Sequence, residues 1–151
     1  MSQVVKRIYA LADNGMPFTK TKQREGIKLS GLESNIFEEG QCYSRLATPD
    51  FIIDLKKPGN NIILSRVGRR VYKVTKILQR HEKVHLLCNE YINPTDVYTT
   101  PIRSSELNVF NVCELKSETT WIQMNDIKLK FCVVPSQIQN TFFLFPLLHT
   151  F

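Results

Sequence analysis

A chain of 151 residues that is 42% hydrophobic, 10% aromatic and 23% charged has the mass of one domain, or one domain plus an arm. It is too apolar to be disordered throughout and too polar for a membrane bundle, and seven prolines with six glycines exclude collagen-like and low-complexity chains. Twenty Lys/Arg against fourteen Asp/Glu give a net charge of +6, which leans toward polyanionic partners.

Residues 3–12 carry Val4, Val5, Ile8 and Leu11 at helical spacing after Ser2, a residue type that caps helices, so a short N-terminal helix is expected there. Residues 13–17 stop it. From 19 to 30 the run Lys20, Lys22, Arg24 and Lys28 has few apolar residues and reads as a solvated basic arm. Residues 32–40 could add one helical turn closed by Gly40. The expected organisation is therefore a helix and arm over 1–40 and a β domain over 41–151.

Beyond residue 41 the pattern is that of short strands and turns. Strands are expected at 51–55, 61–65, 71–79, 84–91, 107–115, 127–134 and 140–148, with turn signals at 57–61, 80–83, 93–96 and 100–101. Strict alternation over 71–79 would send Val71, Lys73, Thr75 and Ile77 one way and Tyr72, Val74, Lys76 and Leu78 the other. In 127–134 it would turn Lys128 and Lys130 outward. The expected core holds Val71, Val74, Leu87, Val109, Val112, Ile127, Phe131 and Val133. Strands about ten residues apart argue a mainly β fold, a small antiparallel barrel or partly open sandwich, with closure favoured because it removes free edges.

Chemistry is sparse. His81, His85 and Cys88 approach a metal motif but alternate to different sides and lack a fourth ligand, so no metal site is expected. Cys42, Cys88, Cys113 and Cys132 form no C-x-x-C pair, and with no apolar leader in the first residues they read as reduced thiols of an intracellular protein. Neither a nucleophile elbow nor a phosphate-binding glycine loop occurs, and Asp50, Asp54, Asp96 and Asp126 sit where Asp forms turns. The apolar stretch at 141–151 is about half a membrane-spanning helix and is interrupted by Pro146. The chain reads as non-catalytic, without cofactor and without membrane anchor.

The charge is the more informative feature, because it is unevenly placed. Residues 45–83 carry ten bases against three acids, whereas residues 84–151 carry four bases against six acids. Within the basic segment Arg66, Arg69, Arg70, Lys73 and Lys76 run from a loop into a strand, with Lys56 and Lys57 on the preceding turn. Such a cluster suits the phosphates of nucleic acid, DNA first, through salt-sensitive and sequence-independent contacts. The alternative is a solvated hairpin face whose charges protect an edge. A protein-interaction role is the rival from another class: Tyr72, Tyr91, Tyr98 and Trp121 could converge as an aromatic cage for a methylated lysine, although Trp121 could equally fill the end of a barrel.

The strings LNVFNV at 107–112, TWIQMNDIKLK at 120–130 and FPLLHT at 145–150, in that order, resemble the C-terminal β-domain of uncharacterised transposon-derived, transposase-like proteins. The strand order is also loosely similar to BAH-type barrels of chromatin proteins. The resemblance spans roughly the last 110 residues. It implies a non-catalytic accessory module of a nuclear protein, detached from the zinc-binding or nuclease region that such proteins carry upstream, and it transfers no site residues.

Overall fold

The computed structural model describes residues 26–37 and 40–147. The helix expected at 3–12 lies outside them. Among the described residues eleven strands are formed: β1 (Lys28–Phe37), β2 (Gly40–Ala47), β3 (Ile52–Asp54), β4 (Ile62–Ser65), β5 (Val71–Arg80), β6 (Lys83–Tyr91), β7 (Thr95–Asp96), β8 (Phe110–Val112), β9 (Leu115–Gln123), β10 (Ile127–Pro135) and β11 (Phe142–Pro146). Short 3-10 helices stand at Ser104–Leu107 and Met124–Asp126, and no α-helix occurs among the described residues.

All pairings are antiparallel. The sheet runs β1-β2-β5-β4-β10-β11-β8-β7, with β3 added to β2, β6 added to β5 and β9 added to β6. The mainly β expectation therefore holds. The sheet is open, however, and the barrel is not closed.

The branch lies at β5. Its residues 71–73 pair with β4 and its residues 77–79 with β2, while β6 occupies the whole opposite edge. Two cores fill the two sides of this wall. Core 1 gathers Leu46, Ile53, Ile63, Tyr72, Val74, Ile77, Leu86, Cys88, Ile122 and Ile127. Core 2 gathers Ile62, Leu64, Val71, Tyr91, Phe110, Val112, Phe131 and Leu144, with Phe110 and Phe131 meeting edge to face at 6.0 Å. β4 is buried along its whole length because its residues alternate between the two cores.

Two bulges make this double use possible. In the β5–β6 ladder Val74 opposes Cys88 and Lys76 opposes Leu87, so Thr75 is the extra residue. In the β10–β4 ladder Ile127 opposes Ser65 and Leu129 opposes Leu64, so Lys128 is extra. Each inserted residue reverses the parity of the residues after it and sharpens the local twist. Tyr72 and Val74 before the bulge thus face the same core as Ile77 after it.

Several expectations are corrected by these features. Residues 32–37 belong to β1, where Leu32 opposes Tyr43 and Phe37 opposes Gly40, and form no helical turn. The strand expected at 107–115 is interrupted: Leu107 ends a 3-10 helix, Asn108 takes a left-handed conformation at φ 61°, and only Phe110–Val112 remains extended before β9. Lys130 does not point outward. The bulge at Lys128 turns it into the interior beside Ile63, where it is buried and its Nζ donates to the carbonyl of Ile52. Of the expected core residues, Leu87 and Val133 are half-buried and the other six are buried.

Candidate nucleic-acid interface

Directly opposed residues of an antiparallel pair project from the same face, so register places side chains without further assumption. Val84, Leu86 and Cys88 of β6 turn toward core 1. His85, Leu87 and Asn89 must turn away from it. Register then fixes their partners. Lys73 stands opposite Asn89 and Asn89 opposite Thr119; Lys76 opposite Leu87 and Leu87 opposite Trp121; Leu78 opposite His85 and His85 opposite Gln123; Arg80 opposite Lys83. Four rows thus cross the outer face of β5, β6 and β9.

This face carries Lys73, Lys76, Arg80 and Lys83, with His85 among them. Glu90 opposes Tyr72 and so lies on the other side of the sheet. At one end the face is covered by core 2, which takes Val71 and Tyr91. Beyond that cover it is open only in part, because Leu78 on the third row is buried, as is Cys42 opposite it on β2. Trp121 is 39% exposed, Lys76 and Lys83 are exposed, and Lys73, His85, Leu87 and Asn89 are half-buried. The bulge is essential to the grouping. Strict alternation separates Lys73 from Lys76, whereas the extra residue Thr75 puts both on the outer side. Its hydroxyl donates to the carbonyl of Leu87 at 3.1 Å and fastens the irregularity. Asn89 does the same for β9, its Nδ2 donating to the carbonyls of Lys116 and Glu118 at 3.1 and 3.2 Å.

The other three expected cations are placed elsewhere. Arg66, Arg69 and Arg70 lie in the turn between β4 and β5, which is closed by Ser65 and anchored on the 3-10 helix at Met124–Asp126. The amide of Arg66 donates to the carbonyl of Asp126 at 2.8 Å, and that of Val67 to its Oδ1 at 3.2 Å. Arg69, at φ 47°, donates from Nη2 to the Ser105 carbonyl at 3.1 Å and to Asn108 Oδ1. It clamps the loop before β8. Arg70 pairs with Glu90 at 3.1 Å, and Lys116 reaches the same carboxylate at 3.1 Å. This trio borders core 1, where burial first and Glu90 second push the Tyr72 hydroxyl above its ordinary range. Arg69 and Arg70 thus contact other parts of the fold. Lys73 and Lys76 remain with the outer face, and Arg80, Lys83, His85 and Trp121 join them.

The remaining candidates disperse. Tyr72 lies in core 1, Tyr91 in core 2 and Trp121 on the outer face, so these rings do not converge as a cage. Burial raises the Tyr91 hydroxyl and holds the Cys88 thiol up to about 12. His81 is in the turn, His85 on the outer face and Cys88 in core 1. Among the described residues no group of three His, Cys, Asp or Glu side chains is arranged to hold a metal. Asp54, Asp96 and Asp126 each accept a backbone amide in a turn or loop, from Lys56 at 3.0 Å, Ser105 at 2.7 Å and Val67 at 3.2 Å. Hydrogen bonds from the Ser105 hydroxyl first and its amide second lower the Asp96 carboxyl below its ordinary value. No described helix is long and apolar enough to cross a membrane.

A second exposed surface is apolar. Phe131, Val133, Phe142 and Leu144 face core 2, so Cys132, Val134, Phe143 and Phe145 form the opposite face of β10 and β11, in register as Cys132 with Phe145 and Val134 with Phe143. Val134 and Phe145 are 40% and 37% exposed. Both edges of β11 are paired, with β10 and β8, so no free edge remains there.

The molecule is thus an open antiparallel β domain with two cores, one basic aromatic face and one apolar face. It belongs to the family described as a domain of unknown function (DUF8592), whose model matches residues 25–147. No curated protein and no solved structure gives a significant match.

Proposed function

We propose that this domain is a non-catalytic nucleic-acid-binding module, an accessory part of a transposon-derived nuclear protein, and that it holds DNA on the outer face of β5, β6 and β9. The observation that carries the reading is the composition of that face. Lys73, Lys76, Arg80 and Lys83 are gathered there by register, and Glu90 of β6 lies on the other side. A predominantly basic surface beside an exposed aromatic ring favours a polyanion with stackable bases over an acidic peptide. The contacts would be to phosphates, so affinity should fall steeply with salt.

Fluorescence anisotropy with labelled 20-nucleotide DNA, single-stranded and duplex, at low and moderate salt tests the reading. Binding that weakens with salt and is reduced at least tenfold in a Lys73→Ala/Lys76→Ala/Lys83→Ala variant supports it. No binding to either form at low salt, or binding indifferent to the triple substitution, overturns it.

The apolar face of β10 and β11 supports a second reading, self-association. Cys132, Val134, Phe143 and Phe145 carry no charge, so the face of a second copy meets it without like-charge repulsion. Sedimentation of the wild type and of Phe145→Ser at micromolar concentration decides it: a dimer lost on substitution is the expected result, and a wild-type monomer removes this reading.

A further inference from the structure

We infer that the ligand of the outer face is a single strand, with an unpaired base stacked on Trp121 while Lys73 and Lys76 hold neighbouring phosphates. The inference rests on the nucleic-acid reading above and narrows it to one class of substrate. Its basis is the shape and order of the face. Lys76, Leu87 and Trp121 occupy one row across three strands, a span of about 10 Å at ordinary strand spacing. The row carrying Lys73, Asn89 and Thr119 lies parallel to it, about 7 Å along the strands.

Duplex DNA is read by an element that enters a groove, most often a helix or a two-stranded ribbon. Among the described residues this three-stranded face, with Lys76 and Trp121 exposed and Leu87 and Asn89 half-buried, presents no projecting helix. It can offer the indole to a base only if that base is free of its partner. Stacking on an aromatic ring with cations along the backbone is the general way sheets hold unpaired strands, and it is tolerant of sequence because every base has a π face. Leu87 supports this arrangement. It lies half-buried between Lys76 and Trp121 and gives the row an apolar floor. Asn89, fixed by its two bonds to the β9 carbonyls, keeps β9 and hence Trp121 in register at the point where the ladder slips.

Trp121 is the sole tryptophan of the chain, so its emission reports on the site directly. Full-length protein would be titrated with oligodeoxythymidine of 20 nucleotides, with the uridine 20-mer and with a 20-base-pair duplex, while emission and affinity are monitored. The expected result is saturable quenching by a single strand, at least tenfold tighter binding of that strand than of the duplex, and a loss of about 5- to 100-fold in Trp121→Ala that Trp121→Phe largely restores. Preference for the thymidine or the uridine strand distinguishes DNA from RNA, and either preference supports the inference. Equal binding of strand and duplex with unchanged emission overturns the inference and leaves the nucleic-acid reading standing. No binding of any probe removes both.

Discussion

Lys76 and Trp121 lie on one face of the sheet in a single row, each directly opposite Leu87 from its own side. Neither position is near the other in sequence, and the relationship exists only because Thr75 is an extra residue in β5. With Lys76 turned outward by the bulge, the basic segment and the tryptophan of β9 become parts of one surface.

The five cations that sequence groups together should therefore behave as two sets. Arg69 holds the Ser105–Asn108 loop and Arg70 shares Glu90 with Lys116, whereas Lys73 and Lys76 lie on the outer face with Trp121. Replacing Lys73 or Lys76 by Ala should lower the slope of log affinity against log salt by about 0.7 each for a single strand. Arg70→Ala should leave that slope unchanged and cost less than about 1 kcal/mol in stability, because its guanidinium is half exposed and Lys116 still pairs with Glu90. Equal salt slopes for Arg70→Ala and Lys76→Ala would contradict this division.

The extent to which this could be read from sequence is set by the bulges. The limits of β5 and β6 and the turn at residues 80–83 are marked by composition and alternation. The charge surplus of residues 45–83 is equally plain, and four of its cations form the outer face. Which side a lysine takes is not marked, because alternation is reset by Thr75 and Lys128, and nothing in either residue announces an insertion. The same cause sends Lys130 inward. β9 has six polar or charged residues among nine, so its hydrophobic signal is weak, although it is the strand that completes the site. Its pairing with β6 is a long-range relation that local pattern does not contain.

Gly31 and Ser44 offer a test of how closely β1 must approach β2. Gly31 has φ +70°, and a Cβ placed there would lie 1.9 Å from Ser44 Oγ. Gly31→Ala should cost about 2–3 kcal/mol, from the steric conflict and the left-handed backbone together. Adding Ser44→Gly relieves the steric part alone. Urea midpoints of the two variants should then differ, with the double variant recovering some but not all of the loss. Identical midpoints for single and double variants would show that the close approach is not the cause.

The hairpin between β5 and β6 closes through His81 and Glu82 at φ 53° and 64°, both left-handed and neither glycine. Two positive φ values are those of a type I′ turn, which Asn-Gly fits with less strain. His81→Asn/Glu82→Gly should stabilise the domain by about 1 kcal/mol and raise its melting temperature by a few degrees. Thermal unfolding by circular dichroism measures this, and a lowered midpoint would refute it. Binding should rise slightly if it changes at all, since the substitution removes a carboxylate beside Lys83.

Lys130 supplies a prediction in pH. Its ammonium is buried beside Ile63, with one donated bond to the Ile52 carbonyl, and burial brings it down to about 8 from an ordinary value of 10.5. Cys132 and Asp54 favour the charged form, but burial, with Lys57 acting in the same direction, outweighs them. Between pH 8 and 10.5 the unfolded chain keeps this proton while the folded chain gives it up, so the lysine's penalty is full below pH 8 and fades as pH rises. Lys130→Met keeps the volume and removes the charge, and should stabilise the domain by about 1–3 kcal/mol at pH 7. The advantage should shrink progressively toward pH 10, where the wild-type amine is already neutral in the fold. Chemical denaturation of both proteins at pH 7 and pH 10 checks the sign, because other groups titrate alike in the two chains. A difference that is constant across that range would mean that Lys130 folds with the same proton affinity it has in water.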